Sequence, residues 1–117
     1  MTWDDVVAIG RAFPEVTEAT AYGEPALKVR KALLTRLRVA DRSLVLLDVP
    51  AGEREMMIAA APETFFCEPH YQGHDIVLAR LEALTAARAQ RLLERRWRGR
   101  ATKSAIATFD RERIGGV

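Results

Sequence analysis

The stretch "EPALKVRKALLTRLRVADRSLVLLDV", residues 24–49, decides the fold. Leu27 and Val29 alternate with Lys28 and Arg30, and Leu37 and Val39 alternate with Arg36 and Arg38. A period of two places alternate side chains on opposite faces of a strand. A turn around Lys31–Ala32 is expected to fold the first run back on the second as a hairpin. "ADRS" (40–43) marks a second turn. "LVLLDV" (44–49) is apolar with little alternation, as in a central strand covered on both faces for part of its length.

Working outward, "TEATAYG" (17–23) adds a strand-like run ending at Gly23. Before it, "TWDDVVAIGRAF" (2–13) has a helical period: Trp3, Val6, Val7, Gly10 and Phe13 form one stripe. Thr2 is placed to cap this helix, Asp4 and Asp5 lie in its first turn, and Pro14 stops it. "AGEREMMIAAAP" (51–62) reads as a short helix whose Met56, Met57 and Ile58 supply apolar contacts. "ETFFCEP" (63–69) and "DIVLARL" (75–81) read as strands joined by "HYQGH". A helix from Thr85 places Ala89, Leu92, Leu93 and Trp97 on one face, and Gly99 weakens or ends it. "TKSAIATFD" (102–110) reads as a short helical turn with Ala105, Ile106 and Phe109 inward, and "RERIGGV" (111–117) as a fraying tail. This order predicts one α+β domain over residues 1–117, a two-layer antiparallel β-sheet with helices on one face and the other face partly open to water.

The 117 residues are 49% apolar and 29% charged, an ordinary globular composition. No apolar run approaches the ~20 residues that span a bilayer. The start, "MTWDDVV", lacks the features of a secretory signal, and Cys67 is the only cysteine, so a cytoplasmic location is expected. Charge is uneven. Residues 1–85 carry 9 Lys and Arg against 13 Asp and Glu, whereas residues 86–117 carry 9 against 3. Such a cationic C-terminal quarter attracts polyanions, unless its charges are simply solvated helix surface.

"FFCEPHYQGHD" (65–75) holds the one cysteine and both histidines. Cys67, His70 and His74 offer three donors, one short of a closed structural zinc site, with Asp75 or Glu68 as the only fourth. Pro69 and Gly73 bracket what reads as a tight turn, with His70 bonding backbone. Cys67 follows two phenylalanines, as a buried and inert thiol would, and no matched nucleophile, base and orienting group appears. No phosphate-binding glycine loop or nucleophile elbow occurs. The expectation is a non-enzymatic domain with no metal and no cofactor.

"FPEVTEATAYGEPALKVRKALLTRL" (13–37) resembles the MmcQ/YjbR family of small bacterial proteins, in its Phe13-Pro14-Glu15-Val16 start and its Tyr22-Gly23-Glu24-Pro25 turn. "EPHYQGHDIVLARL" (68–81) is similar to the family's Pro-His-Tyr-x-Gly turn and following strand. "ERRWRGRATKSAIATFD" (94–110) is similar to its closing helix. Thr102-Lys103 stands where the family pattern has Pro-Lys, and His74-Asp75 where it has Tyr-Pro or similar. The resemblance spans nearly the whole chain. It implies an α-β(5)-α arrangement and a DNA-binding label that rests on fold analogy.

Two functions are expected to compete. One is low-specificity binding of double-stranded DNA, with phosphates held by Lys28, Arg30, Arg36 and Arg38 on the hairpin and by Arg91, Arg95, Arg98 and Lys103 at the C-terminal helix. Its counter-reading pairs these cations with Glu24, Asp41 and other nearby carboxylates across strands. The alternative is a small-molecule or protein-binding module on the open sheet face, with Tyr22, His70 and Tyr71 around a shallow concavity. Self-association through a strand edge or the last helix is the third reading, so the chain is expected as a monomer or homodimer and not at a membrane.

Overall fold

The computed structural model describes residues 1–115. In chain order these form α1 (Trp3–Arg11), β1 (Val16–Ala21), β2 (Glu24–Val29), β3 (Ala32–Arg38), β4 (Ser43–Leu47), α2 (Ala51–Ala60), β5 (Phe65–Phe66), a single 3-10 turn (Pro69–Tyr71), β6 (Ile76–Arg80), α3 (Ala86–Arg98) and α4 (Lys103–Gly115). The fold is two-layer α+β. Its one sheet has the order β1-β2-β3-β4-β6-β5, and every neighbouring pair is antiparallel. The strand beyond the five implied by the resemblance is the two-residue β5 at the edge. No helix among the described residues is long and apolar enough to cross a membrane.

Strand register explains the two faces. Leu27 pairs with Thr35, Thr35 with Leu46 and Leu46 with Val77, so all four point to the helix side. A bulge at Leu34, opposite Leu27 and Lys28, lets Leu34 join that side as well. Against this face lie Val6 of α1, Leu93 and Trp97 of α3, and Phe109 of α4. Trp97 is fully buried. It stacks on Phe13 at 5.1 Å and meets Phe109 edge-on at 4.9 Å, and its Nε1 donates to the Pro14 carbonyl at 2.8 Å. The helix-capping expectation holds for α1: Thr2 Oγ1 accepts from Asp5 N, and Asp5 Oδ2 accepts from Thr2 N. That backbone N–H holds the Asp5 carboxyl below its ordinary value. Gly10 lets α1 approach the sheet closely, because a Cβ there would sit 2.5 Å from Leu27 Cδ1.

Several local expectations are corrected. The hairpin turns at Arg30–Lys31, so Arg30 leaves the strand it was expected to share with Lys28. Arg30 has φ +57° and its N–H donates to the Glu15 carbonyl. The strand expected over 63–69 shrinks to Phe65–Phe66, because the N–H groups of Thr64 and Phe65 both turn back to the Ala61 carbonyl. In α2 Met57 and Ile58 pack against the core as expected, but Met56 is 73% exposed and the buried residue is Arg54. The short turn expected over 102–110 is a 13-residue helix that takes in much of the expected tail. Arg98 of α3 bonds both oxygens of Asp110, and Arg113 reaches Glu94, so ion pairs hold α4 beyond Phe109. Arg98 accordingly holds the Asp110 carboxyl below its ordinary value. Gly116 and Val117 of that tail lie outside the described residues.

Among the described residues, five non-glycine residues take left-handed φ: Glu15, Tyr22, Arg30, Arg42 and Asp48. Each lies at a strand end or a turn. Tyr22 (φ +55°) and Gly23 (φ +75°) form the two-residue connection between β1 and β2, with positive φ at both central positions as a mirror-image hairpin turn requires.

Candidate functional site

The second sheet face carries Ala26 and Lys28 of β2, Leu33, Arg36 and Arg38 of β3, Ser43, Val45 and Leu47 of β4, and Ile76 and Leu78 of β6. Residues 67–75 do not make a tight turn between β5 and β6. They cross over this face as a longer excursion, built on the 3-10 turn, with the Tyr71 N–H donating to the Glu68 carbonyl and the His74 N–H to the Tyr71 carbonyl. A concavity of about 340 Å³ remains between this excursion and the β1–β2 turn. Leu33, Val45, Leu47 and Ile76 give it an apolar floor, and Tyr22, Arg36, His70, Tyr71 and His74 form its walls. Tyr22, His70 and Tyr71, from two turns far apart along the chain, thus line one space.

Arg36 organises this wall. It is 8% exposed. Its Nη1 donates to Glu24 at 2.6 Å and its Nη2 to the Tyr71 hydroxyl at 2.9 Å. The guanidinium lies 5.1 Å from the centre of the Tyr22 ring, which is itself 89% exposed. Arg36 Nε is buried and has no partner among the described residues. The walls therefore offer two aromatic faces and two imidazoles over an apolar floor, with Glu24 balancing the one fixed cation. Such a surface suits a planar, mostly apolar molecule carrying one hydrogen-bond acceptor.

The cations expected to hold DNA are not gathered into one patch. Arg36 is tied as described. Arg38 donates to Glu68 at 2.9 Å and lies 3.1 Å from Asp41, and the Glu68 bond holds its guanidinium still more firmly protonated. Arg95 donates to Glu53 and to the Asp48 carbonyl. Arg98 is shared between Glu94 and Asp110. These four serve the fold, for the reason cross-strand and interhelical carboxylates always compete with a ligand: they are already in place. Lys28, Arg30, Arg91 and Lys103 have no ion pair among the described residues; Lys28 stands on β2, Arg30 in the β2–β3 turn, Arg91 on α3 and Lys103 at the start of α4. Arg30 and Lys31 share a shallow hollow with Arg100, and Glu15 links it to α4, its carbonyl accepting from Arg30 and its carboxylate from Thr102.

Cys67 is half-buried rather than sealed in the core, and its thiol donates to the Glu68 carbonyl. Cys67, His70 and His74 do not converge as a ligand set: among the described residues no three His, Cys, Asp or Glu side chains are placed to hold one metal ion. Two residues that position the site escaped the sequence reading. Arg54, 6% exposed, donates to the carbonyls of Gln72, His74 and Ile76 and so pins the far end of the excursion. Arg96 Nε donates to the Leu33 carbonyl and its Nη1 to both oxygens of Asp48, which ties β3 to the end of β4. The only signal in the sequence was their place on helix positions otherwise suited to burial.

No protein-family model matches the chain, and no solved structure matches it. The chain is similar to the uncharacterized protein Rv2570 of Mycobacterium tuberculosis (strain ATCC 25618 / H37Rv) and to the uncharacterized protein Mb2600 of Mycobacterium bovis. Each is 27% identical over 122 residues, an alignment that spans 92% of this chain and 95% of the relative.

Proposed function

We propose that this chain is a small-molecule-binding domain whose ligand lies on the open sheet face between Tyr22 and the His70–Tyr71 turn. One observation carries the reading: two turns far apart in sequence meet around one apolar floor on the open sheet face. The same two turns, Tyr22-Gly23-Glu24-Pro25 and Pro69-His70-Tyr71, carry the resemblance to the MmcQ/YjbR family, so proposed membership and proposed site stand on shared residues. The reading is one of binding rather than catalysis. The ligand class is a planar aromatic acid or its amide, ring against Tyr22 and acceptor toward the imidazoles of His70 and His74.

Titration of isotope-labelled protein with benzoate and 2-naphthoate tests this by amide chemical shifts. Saturable shifts are expected at Leu33, Val45, His70 and Ile76. Tyr22→Ala should weaken binding by roughly threefold to tenfold, as removal of one aromatic partner does, at little cost in stability because the ring is exposed. Shifts scattered over the surface, or an affinity indifferent to Tyr22→Ala, would sink the proposal.

A second reading, contact with the backbone of double-stranded DNA, is favoured by the group Arg30, Lys31 and Arg100, none of which is ion-paired among the described residues. Lys103 begins the helix that follows. Fluorescence anisotropy on a labelled duplex should then fall steeply with salt. The triple change to Ala at Arg30, Lys31 and Arg100 should reduce the log–log slope by roughly 0.9 for each phosphate no longer neutralised. Absence of binding at low salt rules this reading out.

A further inference from the structure

We propose that the groove between α2 and α3 is a second binding site, for a small amphipathic carboxylate with a tail of medium length. The groove encloses about 310 Å³. Its floor is apolar: Met57, Ala60 and Ala61 come from α2 and the residue after it, Leu92 from α3, and Phe65 from the edge strand between them. Its rim on the α3 side is a row of arginines, Arg88, Arg91 and Arg95, spaced so that all three share one stripe of the helix.

The charge on that rim is unbalanced. Arg95 is committed to Glu53 at 2.8 Å and to the Asp48 carbonyl at 3.0 Å. Among the described residues, Glu53 is the only acid lining the groove. Arg88 and Arg91 are exposed and make no ion pair among the described residues, and the Arg88 guanidinium lies 5.7 Å from the centre of the Phe65 ring. Two unpartnered forks beside an apolar trough ask for an anion and a hydrocarbon in the same molecule. A bare inorganic anion leaves the trough unused. An uncharged alkyl chain leaves the guanidiniums unpaired. A nucleic-acid backbone meets the arginines without filling the floor. A carboxylate matches the planar fork of arginine, which can bind both its oxygens at once. The volume is near the small end of the range for ligand sites, which fits a chain of about eight carbons better than a long-chain lipid.

Octanoate is therefore the probe, followed by amide chemical shifts and by calorimetry on the full chain. The expected result is saturable binding with Kd on the order of 0.1–1 mM, reasonable for a ligand with so few atoms. Shifts should centre on Met57, Ala60 and Leu92. Octanol, with the same tail and no charge, should bind at least tenfold more weakly. The double variant Arg88→Gln and Arg91→Gln should lose at least tenfold in octanoate affinity with an unchanged thermal midpoint, because both side chains are exposed and unpaired. Three outcomes overturn the proposal: no saturable shifts with octanoate, an affinity that ignores the double variant, or shifts that centre on Val45 and Ile76. The last would place octanoate on the open sheet face instead, so failure here is distinguishable from failure of the first site. An acidic amphipathic peptide that moves Met57 and Leu92 where octanoate does not would assign the groove to a protein partner and likewise overturn it.

Discussion

Trp97→Ala should destabilise the protein by roughly 3–5 kcal/mol, the usual cost of emptying a large aromatic from a packed core. Folded domains of this size have about 5–15 kcal/mol to lose, so the variant should sit near the threshold of folding. The reason is local. Trp97 joins three parts of the chain: Phe13 just after α1, Phe109 of α4, and the Pro14 carbonyl at the entry to β1. Without the indole, α4 loses the main apolar surface that seats it. Trp97→Phe separates the two roles of the side chain. It keeps an aromatic ring but leaves the Pro14 carbonyl without its donor, and should cost about 1–2 kcal/mol. Urea denaturation followed by circular dichroism measures both. A loss under about 1 kcal/mol for the alanine variant would show that α4 is held by its ion pairs to α3 rather than by this cluster.

Arg54→Met should cost roughly 2–4 kcal/mol, although it replaces a helix arginine with an apolar residue of similar length. Elsewhere on a helix such a change is nearly neutral. Here it removes the donors for three carbonyls, those of Gln72, His74 and Ile76, and leaves them turned toward the protein. Arg54→Lys should recover less than half of the loss, because an ammonium cannot span the positions a planar fork reaches. Hydrogen exchange locates the effect. Amides of residues 70–76 should exchange much faster in Arg54→Met, while Leu44 and Leu46 in the sheet centre should slow or speed only with global stability. Unchanged protection in the excursion would mean that the Tyr71–Arg36 and Glu68–Arg38 bonds suffice to hold it.

These two residues also mark what the sequence makes legible. Trp97 falls on the apolar stripe of a helix, and its burial follows from the 3.6-residue period. Leu27 and Val29 follow from a period of two in the same way. Both patterns are local, and local patterns survive in a linear reading. Arg54 is the opposite case. A charged residue in a helix reads as solvated until the three carbonyls that surround it are known, and those belong to the excursion and the first residue of β6, 18 to 22 residues away. The hairpin cations show the same limit. Arg36 and Arg38 alternate correctly with Leu37, so the face they occupy was readable, as was their pairing with Glu24 and Asp41, but Glu68, the further partner of Arg38, lies 30 residues away. Pairing across that distance depends on how residues 67–75 cross the sheet, and a Pro-His-Tyr-x-Gly run reads equally well as a tight turn. The strand 63–69 failed for a related reason. Two backbone donors preferred the carbonyl at the end of α2, a competition that composition does not reveal.

The five left-handed residues show where the fold bears backbone strain. Each such position costs a residue with a Cβ on the order of 1–2 kcal/mol that glycine would not pay. A hydrogen bond or ion pair made by the side chain at such a position offsets part of that strain in the folded state. For Glu15 and Asp48 the offset is visible, since one holds Thr102 and the other Arg96. Tyr22 and Arg30 hold up no comparable part of the fold: an exposed ring leaning on a guanidinium, and a cation at a hairpin tip. Backbone strain at these two positions coincides with side chains proposed to meet a partner, Tyr22 on the open sheet face and Arg30 at the hairpin tip.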